Sequence, residues 1–436
     1  MNISAARAAA FDILLRIEAE KSFSSALLPL YEESLSPADS SLCHELVLGS
    51  LRKQIYLDLV IAQFAGSKKL DTAVRVALRV GLYQLYFLDR VPDYSAINES
   101  VGLVQRAKKT SAKGFVNAVL RRATRERPLI KFVDEIDQIS VETSHPRWLV
   151  EKWIGELGTE DTKLLAAANN EIPQPTFRLT NSLENIEPSI SENWQHSRFV
   201  DGCVNISKSD AALRELETEG TIYFQDEASQ LAAKTVYVPD DGRFLDVCAA
   251  PGGKTGLIAQ RFKKSIGLAV AGDLHWQRVS YLRNNLIRQS VDFVNVVQYD
   301  ATQPLPFGDE TFDTVFVDAP CSGSGTIRHN PEIRYFLQPD DFMELFEKQL
   351  LILTNASKLV KPGGSLIYST CSMETEENET VAIKFLTNDE SFAVAVPSVD
   401  SRFRTSDGFA RTWPHRDKMD GFFIAEFGKN DREGCG

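Results

Sequence analysis

Six cysteines occur in the 436 residues, at positions 43, 203, 248, 321, 371 and 435, and two of them sit in segments that ask for more than packing. Cys321 lies in Asp318-Ala-Pro-Cys-Ser-Gly-Ser-Gly325, and Cys371 in Ser369-Thr-Cys-Ser372. A lone cysteine at a strand end is explained by its behaviour as a small apolar side chain. Two thiols, each closing an apolar strand beside a ligand-type loop, point to reactivity. No pair has CxxC spacing and the six His are scattered, which argues against a metal site. In a reducing cytosol all six are free thiols. Cys43, Cys203 and Cys435 belong to no motif.

The ligand-type loop is Phe244–Thr255, an apolar strand, a turn of small residues and a helix start. Cys248, Ala249, Ala250, Pro251, Gly252, Gly253 and Lys254 line it, and its small residues let a ligand approach the backbone. It is neither GxGxxG nor GxxxxGK[ST], so a dinucleotide or a triphosphate is disfavoured. Asp273, twenty residues past Gly253, follows a second strand and can accept both hydroxyls of a ribose. Asp300 follows a third strand and can accept from an adenine amine, although Asp after a strand is also common turn chemistry. Together these describe a nucleoside cofactor without phosphates, most simply S-adenosyl-L-methionine.

Thiols beside a methyl donor suggest one reaction. Carbon 5 of cytosine does not attack a methyl group unaided. A thiolate that adds to carbon 6 makes an enamine, and carbon 5 becomes nucleophilic. An acid near Asp318 that protonates N3 eases the addition. The carbon-5 proton must then leave and the thiol must be eliminated, where a second thiol can assist. The thiolate needs nearby positive charge or hydrogen-bond donors, and Lys254 is the candidate. Residues alone do not rank Cys321 and Cys371. The target base must be unpaired or leave its stack.

The elements that must position these groups fall in three parts. Residues 1–131 read as helices only, five or so. Val74, Ala77, Leu78, Gly81, Leu82 and Leu85 form one helix face; Pro92 stops it; Ser95 is expected to cap the next helix, with Ile97, Val101 and Val104 buried. Residues 132–220 mix helices (148–157, 162–169) with short β-type runs (176–180, 198–206), a small α+β linker domain. From 221 to 436, strands at 243–247, 267–271, 292–297, 314–317 and 365–368 alternate with helices at 256–262, 276–289, 340–360 and 376–386, and a last strand spans 422–427. That alternation predicts a parallel, doubly wound α/β sheet, with ligands at the strand ends.

The net charge of −12 hides an asymmetry: residues 1–131 carry +6 and residues 132–436 carry −18. Between Arg106 and Lys131 there are nine basic residues and one acid, Glu126. Arg106, Lys108, Lys109, Lys113, Arg121, Arg122, Arg125 and Arg127 are candidate contacts to RNA phosphates, with a solvated helix face as the plain alternative. Arg328, His329 and Arg334, after the Cys321 loop, are further candidates to grip RNA. No apolar run approaches the ~20 residues of a membrane span, and Met1–Asp12 shows no basic head with an apolar run. The expectation is a cytoplasmic protein, without membrane or metal, acting as a monomer.

The combination of Asp246-Val-Cys-Ala-Ala-Pro-Gly-Gly-Lys-Thr255, Asp318–Gly325, Ser369–Ser372 and Glu376-Glu377-Asn378 resembles the RNA cytosine-5 methyltransferases of the RsmB (Sun/Fmu) type. Lys113-Gly-Phe-Val-Asn-Ala-Val-Leu-Arg121 is similar to the NusB-type helical domain that fronts them, and Trp413-Pro-His415 and Asp420-Gly-Phe-Phe423 to their C-terminal segment. The resemblance implies an all-α NusB-like bundle, the linker domain and a Rossmann-like class I methyltransferase domain. It implies that Cys371 is the nucleophile, that Cys321 helps release product, and that Asp318 lies between cofactor and base. Its implied substrate is 16S ribosomal RNA, usually at cytosine 967. The alternatives are a non-catalytic RNA-binding assembly factor, a methyltransferase for another RNA, and a DNA cytosine methyltransferase. A nicotinamide dehydrogenase would lack its glycine fingerprint here.

Overall fold

The computed structural model describes residues 3–66, 69–180, 188–192, 194–207 and 211–431, and forms two compact units. Cys435 lies outside the described residues. The first unit comprises Met1–Glu171 with Ile327–Pro339, and the second Ile172–Thr326 with Asp340–Gly436. The segment 132–220 is thus shared between them: its helices up to Glu171 belong with the helical unit, while its strands and the helices Pro188–Ser191 and Ala211–Thr218 belong with the second.

The helical unit contains α1 (Ala5–Glu20), α2 (Ser24–Glu32), α3 (Pro37–Arg52), α4 (Gln54–Ala65), α5 (Thr72–Phe87), α6 (Asp93–Arg106), α7 (Lys113–Ala123), α8 (Glu135–Thr143), α9 (Arg147–Leu157) and α10 (Thr159–Ala168). Seven of these precede residue 131, more than the five or so expected; α3 and α4 are separated by Lys53 alone. The predicted α5 face is buried as expected, Val74, Ala77, Leu78 and Leu82 lying in the main core. Asp71, not named by the apolar pattern, caps α5 by accepting from the Ala73 N–H at 3.0 Å. The expected cap Ser95 is instead the third residue of α6, whose N-cap is Pro92. Its hydroxyl donates to Glu99 at 3.2 Å, an intrahelical i,i+4 contact that serves no terminus.

Ile327–Pro339 belongs to this unit although it follows the Cys321 loop directly in the chain. Arg334, read from the sequence as a grip on RNA, is wholly buried there. Its guanidinium donates to the carbonyls of Thr143 (3.1 Å) and Asn169 (3.2 Å) and to Asn170 Oδ1 (2.9 Å), capping the helix ends around residues 143 and 169. Arg328 is also buried, and its carbonyl accepts from Arg52 at 3.0 Å. Glu332 accepts from the Ser24 N–H at 2.6 Å. Arg334 is therefore structural, and Arg328 is buried rather than presented to solvent.

The second unit opens with a small antiparallel sheet of β1 (Thr176–Leu179), β2 (Gln195–His196), β3 (Cys203–Asn205) and β4 (Ile222–Phe224), in the order β2-β3-β1-β4. The large sheet contains β5 (Arg243–Asp246), β6 (Leu268–Asp273), β7 (Asn295–Gln298), β8 (Phe312–Asp318), β9 (Val360–Thr370), β10 (Phe392–Ala395), β11 (Ala410–Thr412) and β12 (Phe422–Lys429). Its order is β10-β12-β9-β8-β5-β6-β7, with β11 beside β12. The five strands β5–β9 run parallel to one another, as expected. The sheet is mixed rather than all-parallel, because β12 runs antiparallel to β9, and β10 and β11 antiparallel to β12. Both faces are buried, so alternate residues enter different cores. Phe244, Ala269, Phe316 and Ile424 pack on one side; Leu245, Val270, Val315 and Phe423 pack on the other.

Candidate active site

The five parallel strands all deliver their functional residues at the same edge. Asp246 ends β5, Asp273 ends β6, Asp300 follows β7, Asp318 ends β8 and Cys371 follows β9. The loop after β5 turns through Ala249, whose N–H donates to the Gly272 carbonyl at 2.8 Å, and a cis Ala250–Pro251 peptide. Gly252 then adopts φ of +101°, a conformation a side chain resists, and a Cβ there would lie 2.9 Å from Leu282. Lys254 sits in the first turn of the helix Gly253–Arg261.

Asp318 accepts from Lys254 Nζ at 2.7 Å and from Ser369 Oγ at 2.9 Å. Burial alone would lower the lysine, but the Asp318 carboxylate outweighs it and holds the ammonium above its ordinary value, with Cys371 adding in the same direction. The Lys254 ammonium also lies 4.9 Å from the centre of the Phe422 ring. Cys321 Sγ and Cys371 Sγ are 3.3 Å apart. The hydrogen bond to Cys371, together with burial, pushes the Cys321 thiol well above its ordinary value, and either sulfur can donate in that contact. Cys248 is raised by burial as well.

Two carboxylates assigned to the cofactor have protein partners. Asp273 Oδ1 accepts from the Leu274 N–H at 2.9 Å and pairs with Arg278 Nε at 3.1 Å, while Oδ2 accepts from the Ala250 N–H at 3.2 Å. Asp300 accepts from the N–H and hydroxyl of Thr302 at 2.9 and 2.7 Å, the turn geometry weighed against adenine binding, and these bonds lower its pKa. The groups still suit a nucleoside. The buried Tyr299 hydroxyl and Asp246 Oδ1 have no hydrogen-bond partner among the described residues. Cys248, Asp246 and Asp273 all act electrostatically on Tyr299. An unpaired donor and an unpaired acceptor beside carboxylates and small residues fit a polar, phosphate-free ligand.

Three residues that sequence reasoning did not assign hold this arrangement. Glu377 is fully buried and accepts from the Ser322 N–H (2.8 Å), Ser322 Oγ (2.5 Å), Ser372 Oγ (2.5 Å) and Gln349 Nε2 (2.9 Å). It therefore ties the loop after Cys321 to the loop after Cys371. Asn378 continues the tie, donating to the Ser372 carbonyl at 2.9 Å. Glu376-Glu377-Asn378 was visible as a motif, but nothing in its spacing told which acid turns inward. The same two loops touch at Gly325, whose N–H donates to the Cys371 carbonyl at 2.9 Å. A Cβ on Gly325 would lie 1.9 Å from the Gly421 carbonyl oxygen, so no side chain fits. The third is Arg178 of β1, buried and donating to the Gly253 carbonyl at 3.0 Å and to Gln260 at 2.6 Å. The small sheet thus braces the start of the helix that carries Lys254.

The basic stretch of the helical unit is exposed except for the half-buried Lys113. Arg106 pairs with Asp12 (2.6 Å), Lys109 with Asp71 (2.7 Å) and Arg122 with Glu126 (2.9 Å). Lys108, Lys113, Arg121, Arg125 and Arg127 have no carboxylate partner among the described residues.

A mixed α/β sheet with this strand-end site, in a chain that begins with a helical bundle, defines a methyltransferase-type domain behind a NusB-type domain. Residues 234–428 match the family described as 16S rRNA methyltransferase RsmB/F, and residues 4–125 match the NusB family. The chain is 32% identical to the "Probable ribosomal RNA small subunit methyltransferase B" of Bacillus subtilis, covering 98% of this chain and 100% of that one. It is 35% identical to the "Ribosomal RNA small subunit methyltransferase B" of Pseudomonas putida, over 87% of this chain and 88% of the other. A solved structure, that of PH0851, superposes with a TM-score of 0.85 at 27% identity, covering 98% of this chain and 100% of its own. The protein belongs to the RsmB/F family of 16S rRNA methyltransferases.

Proposed function

We propose that the protein transfers a methyl group from S-adenosylmethionine to carbon 5 of a cytosine in 16S ribosomal RNA, usually the one at position 967 in this family, through a covalent Cys371–C6 adduct. The observation that carries this reading is the 3.3 Å separation of the two thiols beside a lysine–carboxylate pair. The cofactor supplies an electrophilic methyl group when bound. Cys248–Lys254, Asp273 and Asp300 hold it, with Asp318 between it and the base. Cys371 acts as the thiolate, favoured by the Lys254 ammonium and able to accept a hydrogen bond from the neighbouring Cys321 thiol. Its sulfur bonds to C6, the ring becomes an enamine, and C5 gains nucleophilic character. After transfer, a general base takes the C5 proton, the C–H pair forms the C5–C6 double bond, and the C6–sulfur bond breaks with its pair, returning the Cys371 thiolate. Cys321 serves that release. Action on ribosomal RNA places the work in the cytoplasm.

Labelled-methyl transfer to unmodified 16S, 23S and transfer RNA, with the modified base mapped, tests the reading. Label at a single 16S cytosine is expected. Cys321→Ala should accumulate an SDS-resistant protein–RNA adduct and Cys371→Ala none; an adduct on the Cys371→Ala protein would overturn the assignment. Cofactor binding without label on any RNA would favour a binding factor instead.

A further inference from the structure

A cavity of about 500 Å³ in the helical unit has no part in the methyl-transfer reading. Its volume falls within the roughly 300–1,000 Å³ of small-ligand sites. Tyr56 of α4 and Tyr86 and Phe87 at the end of α5 form one side, Arg125 and Arg127 beyond α7 form another, and Asp93, the first residue of α6, also lines it.

The aromatic side is held in place. Tyr86 donates to the Ala123 carbonyl at 3.2 Å. Phe87 stacks on Tyr83 with centroids 5.3 Å apart and meets Tyr56 edge-on at 6.0 Å. Phe87 is nevertheless 38% exposed, with Lys53 Nζ 5.7 Å from its ring centre. On the basic side, both arginines are exposed and unpaired with any carboxylate among the described residues. Glu126, which lies between them in the chain and also lines the cavity, is engaged by Arg122 at 2.9 Å. Held aromatic rings and exposed guanidinium groups lining one cavity match the two halves of a nucleotide: a ring that stacks and a phosphate that pairs. Asp93 gives the ring's N–H groups an acceptor.

We propose that this cavity takes an unstacked nucleotide of the RNA substrate, a recognition site separate from the one that holds the reacting cytosine. The inference rests on the RNA reading above. Tyr56, Tyr86 and Phe87 supply stacking, which is sequence-tolerant, and Arg125 and Arg127 clamp the flanking phosphates. The site reads the RNA by its unpaired shape rather than by base sequence.

The test uses the full chain and a 16S transcript substituted with 4-thiouridine, irradiated and mapped by mass spectrometry. Peptides carrying Tyr56 and Tyr86-Phe87 should be labelled. Arg125→Glu combined with Arg127→Glu should abolish that label and weaken RNA affinity about fivefold or more, with cofactor affinity unchanged. Tyr56→Leu should act in the same direction, and Tyr56→Phe, which keeps the ring, should restore wild-type affinity. RNA that is bound and methylated while these peptides stay unlabelled overturns the inference and leaves the methyl-transfer reading standing. Labelling suppressed by no RNA competitor but by free mononucleotides alone would assign the cavity to a metabolite and also overturn it. No binding of any RNA defeats both readings.

Discussion

Ser322 and Ser372, each one residue beyond a cysteine, hydrogen-bond to the same carboxylate oxygen of Glu377, at 2.5 Å apiece. The spacing of the two thiols is therefore set by a buried acid that touches neither. Removing it by Glu377→Ala takes an acceptor from Ser322, Ser372 and Gln349, a loss of about 1–3 kcal/mol for each buried donor left unsatisfied. Thermal denaturation should show that loss. Glu377→Gln keeps the shape but removes the charge, and should lower kcat more than it changes the affinity for the methyl donor. Unchanged kcat in Glu377→Gln would mean the thiol spacing tolerates loosening.

The two sulfurs at 3.3 Å are close enough for mild oxidation to join them. A disulfide needs roughly 2.05 Å between sulfurs, a small approach from the observed contact. Treatment with diamide should abolish methyl transfer, and dithiothreitol should restore it. Peptide mapping should find Cys321 joined to Cys371, with the buried Cys43, whose thiol is pushed up to about 12, unreacted.

Asp246 gives stability a pH dependence. Burial pushes its carboxyl up to about 7 from an ordinary 3.8. The folded form thus keeps a proton that the unfolded chain has lost between those values. Its contribution is fully present below about pH 4 and is lost as pH rises toward 7. Each unit of that interval is worth about 1.4 kcal/mol, on the order of 4 kcal/mol in all. Denaturant unfolding at a series of pH values should show this slope superimposed on the other groups. Asp246→Asn should flatten it, and an identical slope in the variant would remove Asp246 as its source.

Five basic residues of the helical stretch lack a carboxylate partner, against three that are paired. If those five meet phosphates of single-stranded RNA, log affinity should fall with log salt at a slope of about −3 to −4 from this patch. Arg121→Gln should reduce the slope by about one such contact, while Arg106→Gln, which breaks the Asp12 pair, should change it less. Filter binding between low and moderate salt measures both. A flat profile would take the patch out of RNA binding.

Strand ends and the residues on them were legible in the sequence because buried parallel strands are short apolar runs with punctuation after them. Phe244–Asp246 and Phe312–Asp318 show this, and the order of their motifs located the site. The edges were less legible. Ala410–Thr412 is three residues long, and Phe392–Ala395 has an exposed Ala393 and Val394, so neither presents the apolar run of a buried strand. Direction is also invisible to periodicity: Phe422–Lys429 reads the same whether parallel or antiparallel to β9. Arg334 misled because a basic residue after a catalytic loop looks like a phosphate contact, whereas its burial depends on carbonyls nearly 200 positions away in the chain. Glu377 and Arg178 were missed for the same reason: their partners are assembled by the fold, not by neighbours in sequence.

The return of Ile327–Pro339 into the helical unit bears on how this protein could have been put together. The backbone crosses between units three times, after Glu171, after Thr326 and after Pro339. A single break at residue 171 would free a helical fragment lacking the side chains that fill it: Glu332 opposite Ser24, and Arg334 under the carbonyls of residues 143 and 169. Such a fragment would expose a hollow lined with unsatisfied acceptors. A single cut at residue 171 thus separates the helical unit from Ile327–Pro339, the segment that fills it, although residues 4–125 by themselves match the NusB family. The segment that completes it follows about three fifths of the other unit in the order of synthesis.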